Sequence, residues 1–340
     1  MNDQRGSLSS TSLWILALLS LLGIGLAHHT LLQLRSENYA AQVREARWLA
    51  RAGAWHAVAV LMNAVDTGDS LRYDAFSQEW AHSPVLFRQI PCGSGKFEVG
   101  YTIAGDYQGV NDFYGIIDEE RKINLNLAPE EVLLRLPGMT PEKVAALLDW
   151  RDADEEAREG GAESAYYQAL AYPYPCKNGD LESLEELTRI RGFTEADVER
   201  LRPFATVYGE GSVNINTAPV EVLECLGISP EVSRQIVRLR WGDDGVPFTD
   251  DDVVFKNPVT VVSILADRLA LSPEDQMYLN GLLAGGRLGV ASTYFTIHSV
   301  GLALGGKIRR RALVTVRRRG LNGVEVIRWV EEGQQLIETM

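Results

Sequence analysis

The sequence predicts an α+β protein: one long N-terminal helix, then an antiparallel sheet interrupted by a large all-α insertion. Three observations carry this. A charge-free run from Gly6 to Leu34 passes without proline into an amphipathic stretch ending near Met62. Strand-like alternation occurs in two separated places, near residues 96–126 and again after residue 293. Between them lies a long segment of helical pattern without clear strands, and it holds most of the negative charge. The boundaries drawn on this pattern are 7–62 for the helix, 63–122 with 286–340 for the β domain, and 123–285 for the insertion.

The charge-free run has 29 residues, where about 20 suffice to cross a ~30 Å hydrocarbon core. A secretory signal peptide is the alternative reading. Against it, no small-x-small cleavage site precedes a loop, and helical spacing continues through Leu34, Ala41, Ala46, Leu49, Gly53 and Val60. One helix therefore runs to Met62, membrane-spanning in its first half and amphipathic in its second. His28 and His29 fall near the outer boundary of the span and read as interfacial residues, not ligands.

In the body, Phe97, Val99, Tyr101 and Ile103 alternate with period two, as in a half-buried strand. FYGIIDEERKINLN (Phe113–Asn126) reads as a second strand-like stretch. TYFTIHSVGLAL, KIRRRALVTVRRRG and GVEVIRWVEE supply the last strands. Lys307, Arg309, Arg310, Arg311, Arg317, Arg318 and Arg319 flank ALVTV and read as guards on strand edges.

The formal net charge is −13, and residues 116–285 carry 32 acidic and 16 basic side chains, net −16, which leaves +3 for the rest. Such a surface counts against the phosphate neutralisation on which nucleic-acid binding depends. Cys92, Cys176 and Cys225 allow at most one disulfide, which the sequence does not choose, and lack zinc spacing. None of the five histidines falls in a nucleophile, metallopeptidase or acid–base motif, so no enzyme is expected.

The insertion repeats itself. VLLRLPGMTPEKVAALLDWR, ELTRIRGFTEADVERLRPF and VLECLGISPEVSRQIVRLR each read as helix, glycine turn, helix. Gly138, Gly192 and Gly227 stand where a tight turn requires positive φ. Thr140, Thr194 and Ser229 are placed to cap the next helix, with Pro141 and Pro230 at its first position. INLNLAPEEVL and VNINTAPVEVL are matching lead-ins. The unit resembles the helix-hairpin-helix of DNA-binding proteins, but Thr140, Thr194 and Ser229 replace the second turn glycine. Glu142, Glu195 and Glu231 beside them would repel a phosphate. A packing module follows; a membrane-anchored DNA-binding or DNA-uptake protein is the alternative, and it would require a basic face.

Between the first two hairpins, Asp149, Asp152, Asp154, Glu155, Glu156 and Glu163 crowd around Gly160–Gly161. Ca²⁺ accepts six to eight oxygens from flexible loops, and Asp152, Asp154, Glu156 and Glu163 are the expected ligands. The pattern is not an EF-hand, and a solvated acidic loop is the competing reading. Asp243, Asp244 and Asp250–Asp252 form a weaker run. Thr249 with Asp252, and Ser183 with Glu186, read as helix capping boxes.

Met-Asn-Asp-Gln-Arg-Gly before the apolar run resembles a type IV prepilin leader, residues 1–6, cut after Gly6 to leave Ser7 as first mature residue. Where that family carries a glutamate at the fifth mature position, this chain has Thr11. Together with the two lead-ins and the DWRDADEE–GAE–YY–KNG–LESLEEL run, the chain resembles the K-type minor pseudopilins of type II secretion systems over nearly its whole length. The resemblance implies a type IV pilin-like fold with an inserted helical domain and calcium sites. It also implies a single-pass inner-membrane location with the C-terminal domain in the periplasm. The implied partners are I- and J-type minor pseudopilins, the major pseudopilin, the prepilin peptidase and secreted proteins, at the periplasmic tip of the pseudopilus.

Overall fold

The computed structural model describes the backbone of residues 4–66, 73–102, 112–245, 249, 251–319 and 323–331, with side chains except those of 4–11, 64–66 and 112. Helix α1 spans Gln4–Asp66 without a break, about 95 Å at 1.5 Å per residue. From Ser12 to Tyr39 every residue is exposed; from Ala46 onward one face is buried, through Leu49, Ala50, Ala54, Ala57, Val58 and Leu61. The membrane-like half thus has no cover among the described residues, while the second half is part of the core.

That half lies on an antiparallel sheet ordered Ile90–Cys92, Gly95–Val99, Tyr294–Ala303, Ile308–Arg318, Val324–Glu331, with Ile117–Asp118 also pairing the third strand. Phe97, Val99, Phe295, Ile297, Val314 and Val316 share one core with Ala54, Val58, Leu61 and Trp80. Close approach depends on glycine: a Cβ on Gly301 would lie 1.9 Å from the Ala46 carbonyl oxygen and 2.5 Å from the Ala50 nitrogen.

Two sequence expectations change here. Phe113–Asn126 forms only two-residue pieces, Asp112–Phe113, Ile117–Asp118 and Ile123–Asn124. The chain bends at Gly115, where a Cβ would meet the Ala81 carbonyl, and at the Glu119–Lys122 turn. The cations on Ile308–Arg318 are not all edge guards either. Arg318 pairs with buried Asp74, Arg319 with Glu325 at 2.6 Å and Arg317 with Glu210 at 3.4 Å.

The helices between residues 130 and 284 are short, the longest being Pro141–Arg151, Pro230–Leu239 and Pro273–Ala284. The segment also holds strands that its pattern did not announce. Ile123 and Asn124 pair in parallel with Ala205 and Thr206, and Val213 and Asn214 with Leu288 and Gly289. Each of these short ladders is opened by one of the matching lead-ins. Gly138, Gly192 and Gly227 have φ of 79°, 85° and 91°. Thr140, Thr194 and Ser229 accept backbone N–H bonds from Lys143, Asp197 and Val232. Ser183 does not cap; Glu186 instead accepts from Trp150 Nε1 at 2.9 Å and Lys177 at 3.0 Å. Thr249 opens no helix and donates to Asp251.

The seam between sheet and helices is polar and buried. Asp118 accepts from Thr217 (2.6 Å), Ser292 (2.8 Å) and Asn214 (3.0 Å). Glu120, 4% exposed, accepts from the Thr293 N–H. Burial, then the charges of Asp118 and Asp74, push its carboxyl up to about 8.

Candidate metal centre

Helix Pro141–Arg151 delivers the acidic loop at its C-terminal end. Asp149, fully buried in the last turn, accepts from the Arg158 guanidinium at 2.7 Å and the Arg158 N–H at 3.2 Å. This folds the loop back on the helix. A Cβ on Gly161 would lie 2.0 Å from Asp149 Oδ2, so only glycine lets the return strand pass. Glu163 then begins Ser164–Gln168 but does not cap it; its side chain is buried. Glu155 holds the far side, accepting from Ser164 Oγ (3.0 Å) and Asn178 Nδ2 (2.9 Å).

Asp152, Asp154 and Glu163 each present an oxygen within 4.8 Å of the others, a spacing that oxygens at 2.3–2.6 Å from a shared Ca²⁺ would adopt. Glu156 is exposed and stands outside this group; its N–H bonds Asp154 Oδ1 at 2.9 Å. Both Glu163 oxygens, Asp152 Oδ1 and Asn178 Oδ1 are buried without a hydrogen-bond donor. Such acceptors are destabilising unless a cation or proton satisfies them. Burial, then the charges of Asp149, Asp152 and Glu155, push the Glu163 carboxyl up to about 7. The donor set fits a hard, oxygen-seeking cation. Asn178 escaped the sequence reading, because KNG looks like an ordinary turn; Asp149 was named among the crowded acids, but not as the buried partner of Arg158.

The hairpin turns lie at the surface, Gly138 and Gly192 exposed and Gly227 half-buried, but each is flanked by a side chain of the chain itself. A Cβ at Gly138 would meet Arg200, at Gly192 Lys143, and at Gly227 Tyr278. The turn positions that contact phosphate in DNA-binding hairpins are packed here against the chain's own side chains. The side chains of Gly6 and Ser7 and the structure of residues 1–3 lie outside the described residues. All three cysteines are free thiols, Cys176 and Cys225 buried.

A family model described as type II secretion system (T2SS), protein K, matches residues 122–210. The chain is 30% identical over 263 residues to type II secretion system protein K of Pseudomonas aeruginosa, covering 73% of this chain and 75% of that protein. It is 27% identical over 224 residues to the protein K of Pectobacterium carotovorum, covering 63% and 66%. Among solved structures it resembles a chain of the GspK-GspI-GspJ complex from enterotoxigenic Escherichia coli, with TM-score 0.63 at 18% identity, covering 89% of this chain and 100% of that one. At that identity the likeness is one of fold.

An apolar anchor helix that continues into the core of an antiparallel sheet defines a single-pass, pilin-like assembly subunit. The chain belongs to the type II secretion system protein K family and is a minor pseudopilin.

Proposed function

We propose that this minor pseudopilin caps the periplasmic tip of the pseudopilus, joins I- and J-type minor pseudopilins there, and helps to initiate assembly and export across the outer membrane. One observation carries the reading. Strand Tyr294–Ala303 starts at the helical layer, where Ser292 bonds Asp118, and ends at Ala303 beside Ala46 and Leu49, toward the span. The helices therefore cover the end of the sheet farthest from the membrane, where a filament-body subunit would receive the next one. Thr11, in place of a carboxylate that would need a partner in lipid, suits a subunit with nothing beyond it.

The prepilin peptidase removes residues 1–6 after Gly6, the first half of α1 is stored in the inner membrane, and the C-terminal body faces the periplasm. The major pseudopilin packs below. Asp152, Asp154 and Glu163, with Asn178 beside them, hold a structural Ca²⁺ that ties the end of helix Pro141–Arg151 to the following loop. The chain has no catalytic role of its own. A fragment beginning at Arg35, mixed with the soluble domains of the I- and J-type subunits, should elute as one complex of all three. Elution of this fragment alone under conditions where the other two associate would contradict the reading.

A further inference from the structure

We propose that the turn at residues 304–307, with the basic strand start behind it, docks on anionic phospholipid headgroups while the chain is held in the membrane. The inference rests on the membrane-anchored reading of α1.

Position comes first. Strand Tyr294–Ala303 descends along α1 toward the span: Gly301 lies against Ala46 and Ala50, and Ala303 and Ile308 share a small core with Ala46, Leu49 and Val43. Val43 is about 14 Å along the helix from Leu34, the last residue of the charge-free run. The turn, a 3-10 piece at Leu304–Gly306, continues past Ala303 in the same direction by up to ~6 Å. That brings it to roughly a Debye length, ~8 Å, from the headgroup layer.

Charge points the same way. Lys307, Arg309 and Arg311 are exposed, as are Arg44 on α1 and Lys96 on the neighbouring strand; Arg310 is half-buried. Among the described residues, none of these six cations has an ion-pair partner, whereas Arg317 and Arg318 on the same strand and Arg319 just after it all do. The nearby carboxylates are Glu45, which accepts from Ser94, Glu98, and Glu37, exposed on α1 between Leu34 and Val43. Among the described residues, Ile308–Arg311 extends beyond Val324–Glu331, whose last pair is Glu331 with Ala312. Protection of that open edge accounts for a charge or two. It does not account for Arg44 and Lys96 on other elements, nor for the tip. There Leu304 is 54% exposed with φ 49°, a left-handed conformation that disfavours leucine. Cations around an exposed aliphatic residue match a surface of anionic headgroups over acyl chains.

The test uses the full chain in nanodiscs, with a fluorophore on Leu304→Cys in a Cys92→Ser background. Quenching by headgroup-nitroxide lipid should be at least about twofold stronger in discs with about 30 mol % phosphatidylglycerol than in phosphatidylcholine alone. The difference should vanish at about 0.5 M salt and in the Lys307→Gln, Arg309→Gln, Arg311→Gln triple variant, checked for an unchanged melting temperature. Equal quenching in both lipids, absent quenching, or a difference that survives the triple substitution would overturn the proposal. A chain that does not enter discs at all would instead contradict the anchor reading.

Discussion

Arg151 and Arg240 occupy equivalent places in two separate hairpins. The Arg151 guanidinium donates to the carbonyls of Leu125 and Ala128, and that of Arg240 to Ile215 (2.7 Å) and Ala218 (2.8 Å), the corresponding residues of the two lead-ins. Asn126 and Asn216 complete the match. Asn126 bonds the N–H and carbonyl of Leu181 and the carbonyl of Val207; Asn216 does the same with Phe255 and Val290. The repeat is thus a polar frame in which an arginine clamps one lead-in and an asparagine splices it to neighbouring segments.

Removing a clamp leaves two carbonyls without donors. Arg240→Ala should destabilise the fragment from Arg35 by about 2–4 kcal/mol, read as a lower urea midpoint. Arg240→Lys, which lacks the fork geometry, should recover only part of it. A change under about 0.5 kcal/mol for the alanine variant would mean that the clamp is incidental.

Much of this frame was readable, and the unread parts share a cause. The long helix, the divided sheet and the turn glycines follow from periodicity and φ requirements, which are local. The lead-in repeat was visible, yet the role of its asparagines was not, because Leu181 and Phe255 lie at different sequence distances from Asn126 and Asn216. Asp152, Asp154 and Glu163 come together as the loop chemistry suggested. Glu156 does not, because Asp154 turns the backbone at that point and carries it outward. Asp149, named among the acids crowding the glycine turn but not among the ligands, is the buried anchor of Arg158.

Gly301 sets the distance between helix and sheet. Gly301→Ala should destabilise by about 3 kcal/mol or more, since both obstructing atoms are backbone. Gly281→Ala, in an exposed helix position where a Cβ meets nothing within 4 Å, should stabilise by about 0.5–1 kcal/mol. Chemical denaturation of the two variants checks both signs.

The metal reading predicts a crossing of effects. Millimolar calcium should raise the melting temperature of the fragment by several degrees over chelator, and Asp154→Ala should erase the gain. Glu163→Gln removes a buried charge that faces other carboxylates. It should therefore leave stability in chelator unchanged or higher, while losing most of the calcium response. A wild-type fragment indifferent to calcium would return the loop to a solvated role.

Glu120 makes stability depend on pH. Its folded value of about 8 lies above the ordinary 4.5, so between these limits the folded chain holds a proton that the unfolded chain has released. The associated stability is complete below about pH 4.5 and is lost as pH rises through about 8. Asp74, raised to about 6 chiefly by burial, adds in the same direction. In chelator, melting temperature should fall by several degrees from pH 6 to 9, and Glu120→Gln should flatten the upper part of that fall. An equally steep profile in the variant would assign the effect elsewhere.

The central claim is that α1 is both anchor and assembly element of a tip subunit, and photocrosslinking in native membranes tests it most directly. A photoreactive residue at Leu22, 62% exposed on the apolar half, should crosslink to the helices of the I- and J-type subunits when they are present and to lipid when they are not. Leu22→Asp should abolish both insertion and crosslinking, since a charge in the span has no partner there. Crosslinks to lipid alone in the presence of both partners, or continued secretion with Leu22→Asp, would contradict the account.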